Sequence, residues 1–193
     1  SNPYPGRFIT LACLPLWSVD RAVEELWRNK ANGTKGISFA FPHQFGYPHI
    51  ADEYWDPLWR AAQEAKLPVN LHIGSGASMG MASDPVPGDP LFVLADRSTK
   101  SISANTQVMS TILFSRILDR FPELKFVSAE SGLGWVPYLL ETADHQWQQQ
   151  GLNRIGMPLK PSDYFHRQCY VNFWFEVTGI EMRHIIGVDN IMW

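Results

Sequence analysis

The chain has 193 residues, of which 45% are hydrophobic and 18% are charged, and its formal net charge at pH 7 is -3. This composition is that of a globular protein with a sizeable core, and we expect a single domain over residues 1–193. Lys and Arg are dispersed and the net charge is small, which argues against nucleic acid and anionic membranes as partners. No stretch approaches the roughly 18 apolar residues of a membrane span.

The two cysteines and the chain ends carry information about the whole protein. Cys13 and Cys169 lie in apolar, strand-like segments without a CxxC or other metal-binding spacing, so we expect two buried thiols in a reducing compartment. This predicts a cytoplasmic protein.

The chain begins at Ser1 without an initiator Met and ends at Trp193 inside an apolar segment, and we therefore expect a fragment of a longer protein.

Strand and helix patterns alternate along the chain. Predicted strands cover 8–14, 34–41, 68–73, 124–129, 169–176 and 190–193, and predicted helices lie between them at 18–32, 58–65, 101–119, 135–147 and 181–186. The first strand is apolar and predicted to be buried on both faces, whereas 148–163 is polar and predicted to be a loop. Such alternation predicts parallel strands joined by right-handed crossovers.

Two features of the pattern favour a barrel among the parallel folds. Neither GxGxxG nor GxxxxGK follows the first strand, which argues against a dinucleotide- or nucleotide-binding fold. Polar residues end several different strands, as they do where the βα loops of a (β/α)₈ barrel build one site. We therefore predict an α/β fold, a (β/α)₈ TIM barrel that is incomplete in this chain.

The stretch 68–76 reads as a buried strand that breaks into a glycine-rich loop. Alternation places Val69, Leu71 and Ile73 on one face and Asn70 and His72 on the other. A histidine at the carboxyl end of a parallel strand is well placed for an active site. The alternative is a core histidine that bonds a neighbouring carbonyl group.

The strand 124–129 delivers a carboxylate in the same way. Phe126, Ser128 and Glu130 are predicted to share one face, so that Glu130 ends this strand much as His72 ends the earlier one. A buried carboxylate at a strand end is costly without a partner. Glu130 is therefore a candidate catalytic residue, with orientation of His72 or a structural cap as the alternatives.

Other site candidates rest on position alone. His43 and His49 lie in the loop after the second strand and are candidate substrate-binding residues, with ordinary surface histidines as the alternative. The long segment 74–90 is either a lid or a disordered surface loop. Trp135 is a further candidate for the substrate site, with core packing as its alternative. Asn172 and Glu176 are plausible site residues only if the side-chain alternation of the strand 169–176 is correctly phased. The remaining histidines, read as surface residues, are His145, His166 and His184.

Five segments resemble a known family. They are residues 55–59 (WDPLW), 71–74 (LHIG), 121–126 (FPELKF), 130–137 (ESGLGWVP) and 187–193 (GVDNIMW). Together they resemble the amidohydrolase-related TIM-barrel family that includes α-amino-β-carboxymuconate-ε-semialdehyde decarboxylase and γ-resorcylate decarboxylase. The segments span most of the chain in the family's order, which implies that barrel strands three to eight are represented.

The resemblance implies a divalent metal, usually zinc. In the family the metal is held by a motif after the first strand, a histidine after the fifth and an aspartate after the eighth, and His72 matches the histidine. The first-strand motif is absent from this chain, and Asp189 precedes its strand and therefore lies at the wrong end. His72 is thus the metal ligand that the resemblance assigns here.

The resemblance also shows one departure. The named decarboxylases have a catalytic histidine where this chain has Glu130, and members with Glu there look like metal-dependent hydrolases of mostly unassigned substrate. A carboxylate that faces a metal either binds it or acts as general base to its water.

Two functions follow as hypotheses. In the first, the parent protein is a metal-dependent hydrolase or decarboxylase that acts on a small carboxylated or aromatic-derived substrate, and this chain alone is inactive. In the second, the chain is a non-catalytic partial barrel or metal-less relative that serves as a binding or interaction module. A partial barrel also exposes strand edges, which would favour a homo-oligomer.

Overall fold

The computed structural model describes residue 4 and residues 6–72 and 86–193. The strands are β1 (Leu11–Cys13), β2 (Gly36–Ser38), β3 (Val69–His72), β4 (Phe126–Ala129), β5 (Cys169–Asn172) and β6 (Ile191–Met192). The helices are α1 (Val19–Ala31), α2 (Asp56–Glu64), α3 (Pro90–Phe114), α4 (Ile117–Arg120), α5 (Val136–Gln149), α6 (Pro161–Gln168), α7 (Val177–Glu181) and α8 (Arg183–Ile186). Strand and helix alternate as predicted.

All six strands run parallel in one sheet, in the order β1-β2-β3-β4-β5-β6. Each strand pairs with its predecessor in sequence, so the sheet grows by one neighbour at a time, as in the wall of a (β/α)₈ barrel. The register places His72 opposite Ala129, which brings the carboxyl ends of β3 and β4 to the same edge. This agrees with the predicted α/β fold and partial barrel.

The two faces of the sheet differ in burial. One face carries fully buried side chains that include Ile37, Val69, Phe126 and Val171, and it packs against the helices. The opposite face carries residues that alternate with these, namely Asn70, His72, Tyr170 and Asn172, and they are half-buried or exposed. The predicted alternation of β3 is therefore confirmed for its described residues.

The prediction for the first strand was wrong. β1 has only three residues, and its flanks and ends are exposed, with relative accessibilities of 67% for Phe8, 78% for Ile9 and 45% for Leu11. Cys13 is exposed as well, whereas Cys169 is buried, so the prediction of two buried thiols holds for one. The reason is that β1 is the edge of the described sheet and pairs with β2 alone.

Three boundaries also differ from the sequence prediction. The segment 148–163 is not all loop, because it contains a 3₁₀ turn at Leu152–Ile155 and the start of α6, where Asp163 accepts a hydrogen bond from the Lys160 backbone N–H. α3 begins at Pro90, where the Asp89 carboxylate accepts from the Leu91 N–H. β5 stops at Asn172, and α7 follows.

Most of the long segment after β3 falls outside this description. Residues 73–85 are not among the described residues, so the interpretation of 74–90 as a lid or loop stays a prediction. Within the part of the chain that is described, no helix has the length and apolar character needed to cross a membrane.

Candidate active site

His72 and Glu130 meet at the carboxyl edge of the sheet. His72 is the last residue of β3, Glu130 directly follows β4, and the imidazole Nε2 lies 2.6 Å from the carboxylate Oε2. Both side chains are about half exposed, at 53% and 51%. A histidine and a carboxylate in contact at this edge are accessible to a small molecule from solvent.

The backbone conformation that brings Glu130 into contact with His72 was not predicted by the sequence pattern. Phe126 and Ser128 are buried on the helix-facing side of β4, so strict alternation would direct Glu130 away from His72. The backbone instead turns left-handed at Glu130, with φ of +56°. The prediction that Glu130 shares a face with Ser128 was therefore wrong, and the left-handed turn produces the contact with His72. Left-handed backbone at a non-glycine residue is strained and occurs often at functional sites.

A buried polar network lies behind this pair on the helix side of the sheet. The side-chain amide of Asn105 on α3 donates to the Leu71 carbonyl oxygen at 3.0 Å and to Ser128 Oγ at 2.9 Å. The hydroxyl groups of Ser128 and Ser131 are 2.5 Å apart. Leu71 precedes His72 and Ser131 follows Glu130, so the network fixes the backbone on both sides of the candidate pair.

Glu176 joins the loops that follow β4 and β5. Its Oε1 accepts from the Leu133 N–H at 2.6 Å, and its Oε2 accepts from the N–H groups of Trp174 and Phe175 at 3.1 and 3.0 Å. Burial alone would raise the pKa of Glu176, but hydrogen bonds from its own backbone N–H and from those of Leu133, Trp174 and Phe175 outweigh burial and hold the pKa below its ordinary value. The sequence placed Glu176 on a strand as a plausible site residue and did not predict this connection between loops.

His43 and His49 lie against each other in the loop after β2. Their ring centroids are 4.8 Å apart, and His49 Nδ1 accepts a hydrogen bond from the Ala51 N–H. The two rings line a cavity of about 200 Å³ together with residues of α3, and neither His72 nor Glu130 lines this cavity. Burial, and secondarily His49, lowers the pKa of His43. Their predicted contact with substrate stays a prediction.

The remaining predicted residues lie outside the contact between His72 and Glu130. Trp135 is half-buried and its indole N–H donates to the Ser131 carbonyl oxygen at 3.0 Å, so it supports the loop that carries Glu130. Asn172 ends β5, half-buried and paired with Met192. As predicted, exposed positions are occupied by His145, His166 and His184.

Comparison with known proteins places this architecture in a family. A family model described as amidohydrolase matches residues 2–156. The chain belongs to the amidohydrolase family. The resemblance predicted from its sequence segments is thereby confirmed. A comparison with curated proteins found no match.

Solved structures share the fold of this amidohydrolase chain. An amidohydrolase from Mycobacterium avium subsp. paratuberculosis K-10 has 26% identity and a TM-score of 0.76, over 94% of this chain and 46% of that protein. A 2,6-dihydroxybenzoate decarboxylase from Rhizobium has 22% identity and a TM-score of 0.67, over 97% of this chain and 59% of that protein. A 5-carboxyvanillate decarboxylase from Novosphingobium aromaticivorans DSM 12444 has 19% identity and a TM-score of 0.67, over 98% of this chain and 54% of that protein. That structure is a complex with manganese and 4-hydroxy-3-methoxy-5-nitrobenzoic acid.

The chain spans about half the length of the solved structures that it matches, with shares of 46%, 59% and 54%. Its six parallel strands are thus part of a TIM barrel, as the sequence predicted. The open sheet and the exposed β1 edge are the structural counterpart of that partial coverage.

His72 and Glu130 are side chains of the types that bind divalent metals, but they are fewer than a catalytic metal normally requires. An imidazole nitrogen and a carboxylate oxygen are suitable ligands, and a catalytic metal typically has about three from the protein. Within the described ranges, no group of three or more His, Cys, Asp and Glu side chains is arranged to hold a metal. Asp189 lies in the turn Val188–Asn190 before β6, which places it at the amino end of that strand, as predicted. Of the protein ligands that such a metal would need, His72 and Glu130 would supply two.

Proposed function

We propose that the parent protein, the longer protein that contains this chain, is a metal-dependent hydrolase or decarboxylase that acts on a small carboxylated or aromatic-derived substrate, and that this chain alone is inactive. The observation that carries the proposal is the 2.6 Å contact between His72 Nε2 and Glu130 Oε2 at the carboxyl ends of adjacent parallel strands. Active sites of TIM barrels lie at this face and are built from the ends of several strands. Membership of the amidohydrolase family supports the reaction class.

The substrate class is inferred from the proteins that share the fold. Two of them are decarboxylases of aromatic acids, and one was solved with manganese and a nitrobenzoic acid. We therefore infer a divalent metal, with zinc and manganese as the candidates, and a substrate that carries a carboxylate or an aromatic ring. A cytoplasmic location and a homo-oligomer stay predictions.

His72 is the residue of this chain that would hold the metal, through its imidazole. A bound divalent metal supplies Lewis acidity, which polarises a substrate oxygen or makes water a nucleophile near neutral pH. Glu130 would stand beside it either as a second ligand, through its carboxylate, or as a group that accepts and donates a proton. Its half-exposed carboxylate leaves room for substrate next to the imidazole.

Glu130 supports both reaction types with the same atoms. In hydrolysis its carboxylate accepts a proton from the attacking water, and the proton then passes to the leaving group. In decarboxylation the bond between the ring carbon and the carboxylate breaks, carbon dioxide leaves, and Glu130 delivers a proton to the carbon that keeps the electron pair. A group that exchanges protons with solvent can be recharged in either cycle.

Turnover by the intact parent protein, the full-length protein that contains this chain, tests this proposal. The chelated protein is reloaded with zinc or manganese and assayed for carbon dioxide release from hydroxybenzoates and for hydrolysis of aromatic amides, esters and lactones. We expect metal-dependent turnover of one class, and a loss of about 100-fold in kcat for Glu130→Gln, the usual size of a general acid–base contribution. Glu141→Gln, an exposed change on α5, is the matched control. Equal turnover with and without metal would contradict the proposal.

A further inference from the structure

The carboxylate of Glu176 connects two active-face loops that are otherwise far apart in sequence. It accepts the Leu133 N–H at 2.6 Å across a separation of 43 residues, while its other oxygen accepts the Trp174 and Phe175 N–H groups. Its hydrogen bonds bring together the loop after β4, which begins at Glu130, and the loop after β5. Because charged acceptors make stronger hydrogen bonds than neutral ones, this is a firm connection.

The loop after β4 is shaped to admit that carboxylate. A Cβ atom at Gly132 would lie 1.6 Å from Glu176 Oε1, and the backbone there is left-handed, with φ of +65°. Only glycine meets both conditions without strain. A Cβ atom at Gly179 of α7 would in turn lie 1.8 Å from Leu133 Cδ1, so α7 and this loop pack in close contact.

The same short loop determines where Glu130 points. Glu130 and Gly132 are both left-handed, with φ of +56° and +65°, and the intervening Ser131 is fully buried. Ser128 and Trp135 hold Ser131 from the sheet side and the α5 side. At the far end of the loop, Leu133 is buried in the core and its carbonyl oxygen accepts from the Val136 N–H of α5. The bond from the Leu133 N–H to Glu176 connects this end to the loop after β5.

We propose that Glu176 is a positioning residue, which holds the loop after β4 so that Glu130 keeps its left-handed backbone and its contact with His72. This rests on the proposed function of the His72–Glu130 pair, and it adds a residue that neither touches substrate nor binds metal. Through Glu176, the loop after β5 becomes coupled to the geometry of the pair. Changes in that loop therefore alter turnover from a distance.

The test compares Glu176→Ala and Glu176→Gln with the intact wild-type protein. Glu181→Gln is the control, because Glu181 is an exposed carboxylate at the end of α7, the helix that follows Glu176. We expect amide hydrogen exchange at Leu133, Trp174 and Phe175 to rise by about tenfold in Glu176→Ala, the factor that corresponds to loss of one net hydrogen bond. Gln keeps one acceptor oxygen, so Glu176→Gln should fall between Ala and wild type.

Two further readouts separate positioning from folding and from the proposed chemistry. The ring ¹H–¹⁵N signals of His72 should shift in Glu176→Ala and stay unchanged in the control, whether or not a substrate is known. Where turnover is measurable, kcat should fall by about 10- to 100-fold with KM nearly unchanged, as expected for a displaced catalytic group. Absence of turnover in the wild type would refute the proposed function. The positioning role of Glu176 would then be decided by amide exchange and the His72 signals.

A second variant keeps the test valid if Glu176→Ala folds poorly. Gly132→Ala should disturb the same amides and the same His72 signals, because its methyl group occupies the place of Glu176 Oε1. In the double variant with Glu176→Ala, the clash is gone and Gly132→Ala should add less than it does alone. Independent, additive effects, or increased exchange with unchanged His72 signals, would overturn the proposal. Lower turnover without increased exchange would also overturn it, since Glu176 would then act on substrate directly.

Discussion

Asn105 of α3 and Ser128 of β4 are joined by a 2.9 Å hydrogen bond inside the protein, directly behind the candidate active site. The same amide group also donates to the Leu71 carbonyl oxygen at 3.0 Å, so one side chain ties α3 to two adjacent strands. Asn105 and Ser128 are only 2% and 1% exposed. Because buried hydrogen bonds are costly to leave unmade, this contact fixes the relative position of the strand ends that carry His72 and Glu130.

Replacing Asn105 tests the importance of this network. Asn105→Ala leaves the Leu71 carbonyl and the Ser128 hydroxyl without the amide donor, and we expect the free energy of unfolding to fall by about 2 kcal/mol. Urea denaturation measures the change. Asn153→Ala is the control at an exposed position, and it should stay within about 0.5 kcal/mol of wild type. Equal effects of the two substitutions would show that the network is not important for stability.

The left-handed backbone of Glu130 predicts a conflict between stability and activity. Glycine adopts φ of +56° without strain, whereas alanine does not, so Glu130→Gly should be more stable than Glu130→Ala by about 1 kcal/mol. Both variants lack the carboxylate and should lose turnover alike. Thermal or urea unfolding compares the pair. An Ala variant as stable as the Gly variant would mean that the backbone at 130 is not held left-handed.

The depressed pKa of Glu176 gives stability a pH dependence with a definite sign. The folded-state pKa lies below the ordinary value of 4.5, so the ionised carboxylate favours the folded state. Its contribution is complete above that value and is lost as the pH falls through the lower, folded-state pKa. The unfolding temperature measured from pH 6 downward should drop in wild type and drop less in Glu176→Gln. Parallel curves for the two proteins would contradict this assignment.

The two cysteines should differ sharply in reactivity. Cys13 is exposed at the sheet edge, whereas Cys169 is buried and burial raises the pKa of its thiol to about 12. A thiol reagent at neutral pH should therefore modify one cysteine quickly in the native protein and both after denaturation. In Cys13→Ser the fast phase should disappear, and in Cys169→Ser it should remain. Rapid modification of both native thiols would show that β5 is not buried as described.

The features that the sequence revealed are the local and periodic ones. The two-residue period of β3 correctly placed Asn70 and His72 on the face of the sheet opposite to that of Leu71, because side chains alternate regularly along a half-buried strand. The predicted helix 58–65 likewise corresponds to α2, whose observed range is Asp56–Glu64. The polar residues at the ends of several strands favoured a barrel among the parallel folds, and the segment resemblance then identified the family.

The features that the sequence did not reveal depend on distant partners or on unusual backbone. Asn105 lies 34 residues from Leu71, and Glu176 lies 43 residues from Leu133, so no local pattern marks either contact. The left-handed turn at Glu130 is not encoded by glycine and reversed the face that alternation predicted. The exposure of Cys13 followed from the position of β1 at the sheet edge, which composition does not specify.

In the proposed function, His72 binds a catalytic divalent metal beside Glu130. The decisive measurement is the metal content of the intact parent protein, determined by mass spectrometry after removal of loosely bound ions. We predict one equivalent of metal in wild type and in His145→Ala, an exposed histidine on α5, and loss of that metal in His72→Ala. Full metal content in His72→Ala, or no tightly bound metal in wild type after loading with zinc or manganese, would contradict the claim.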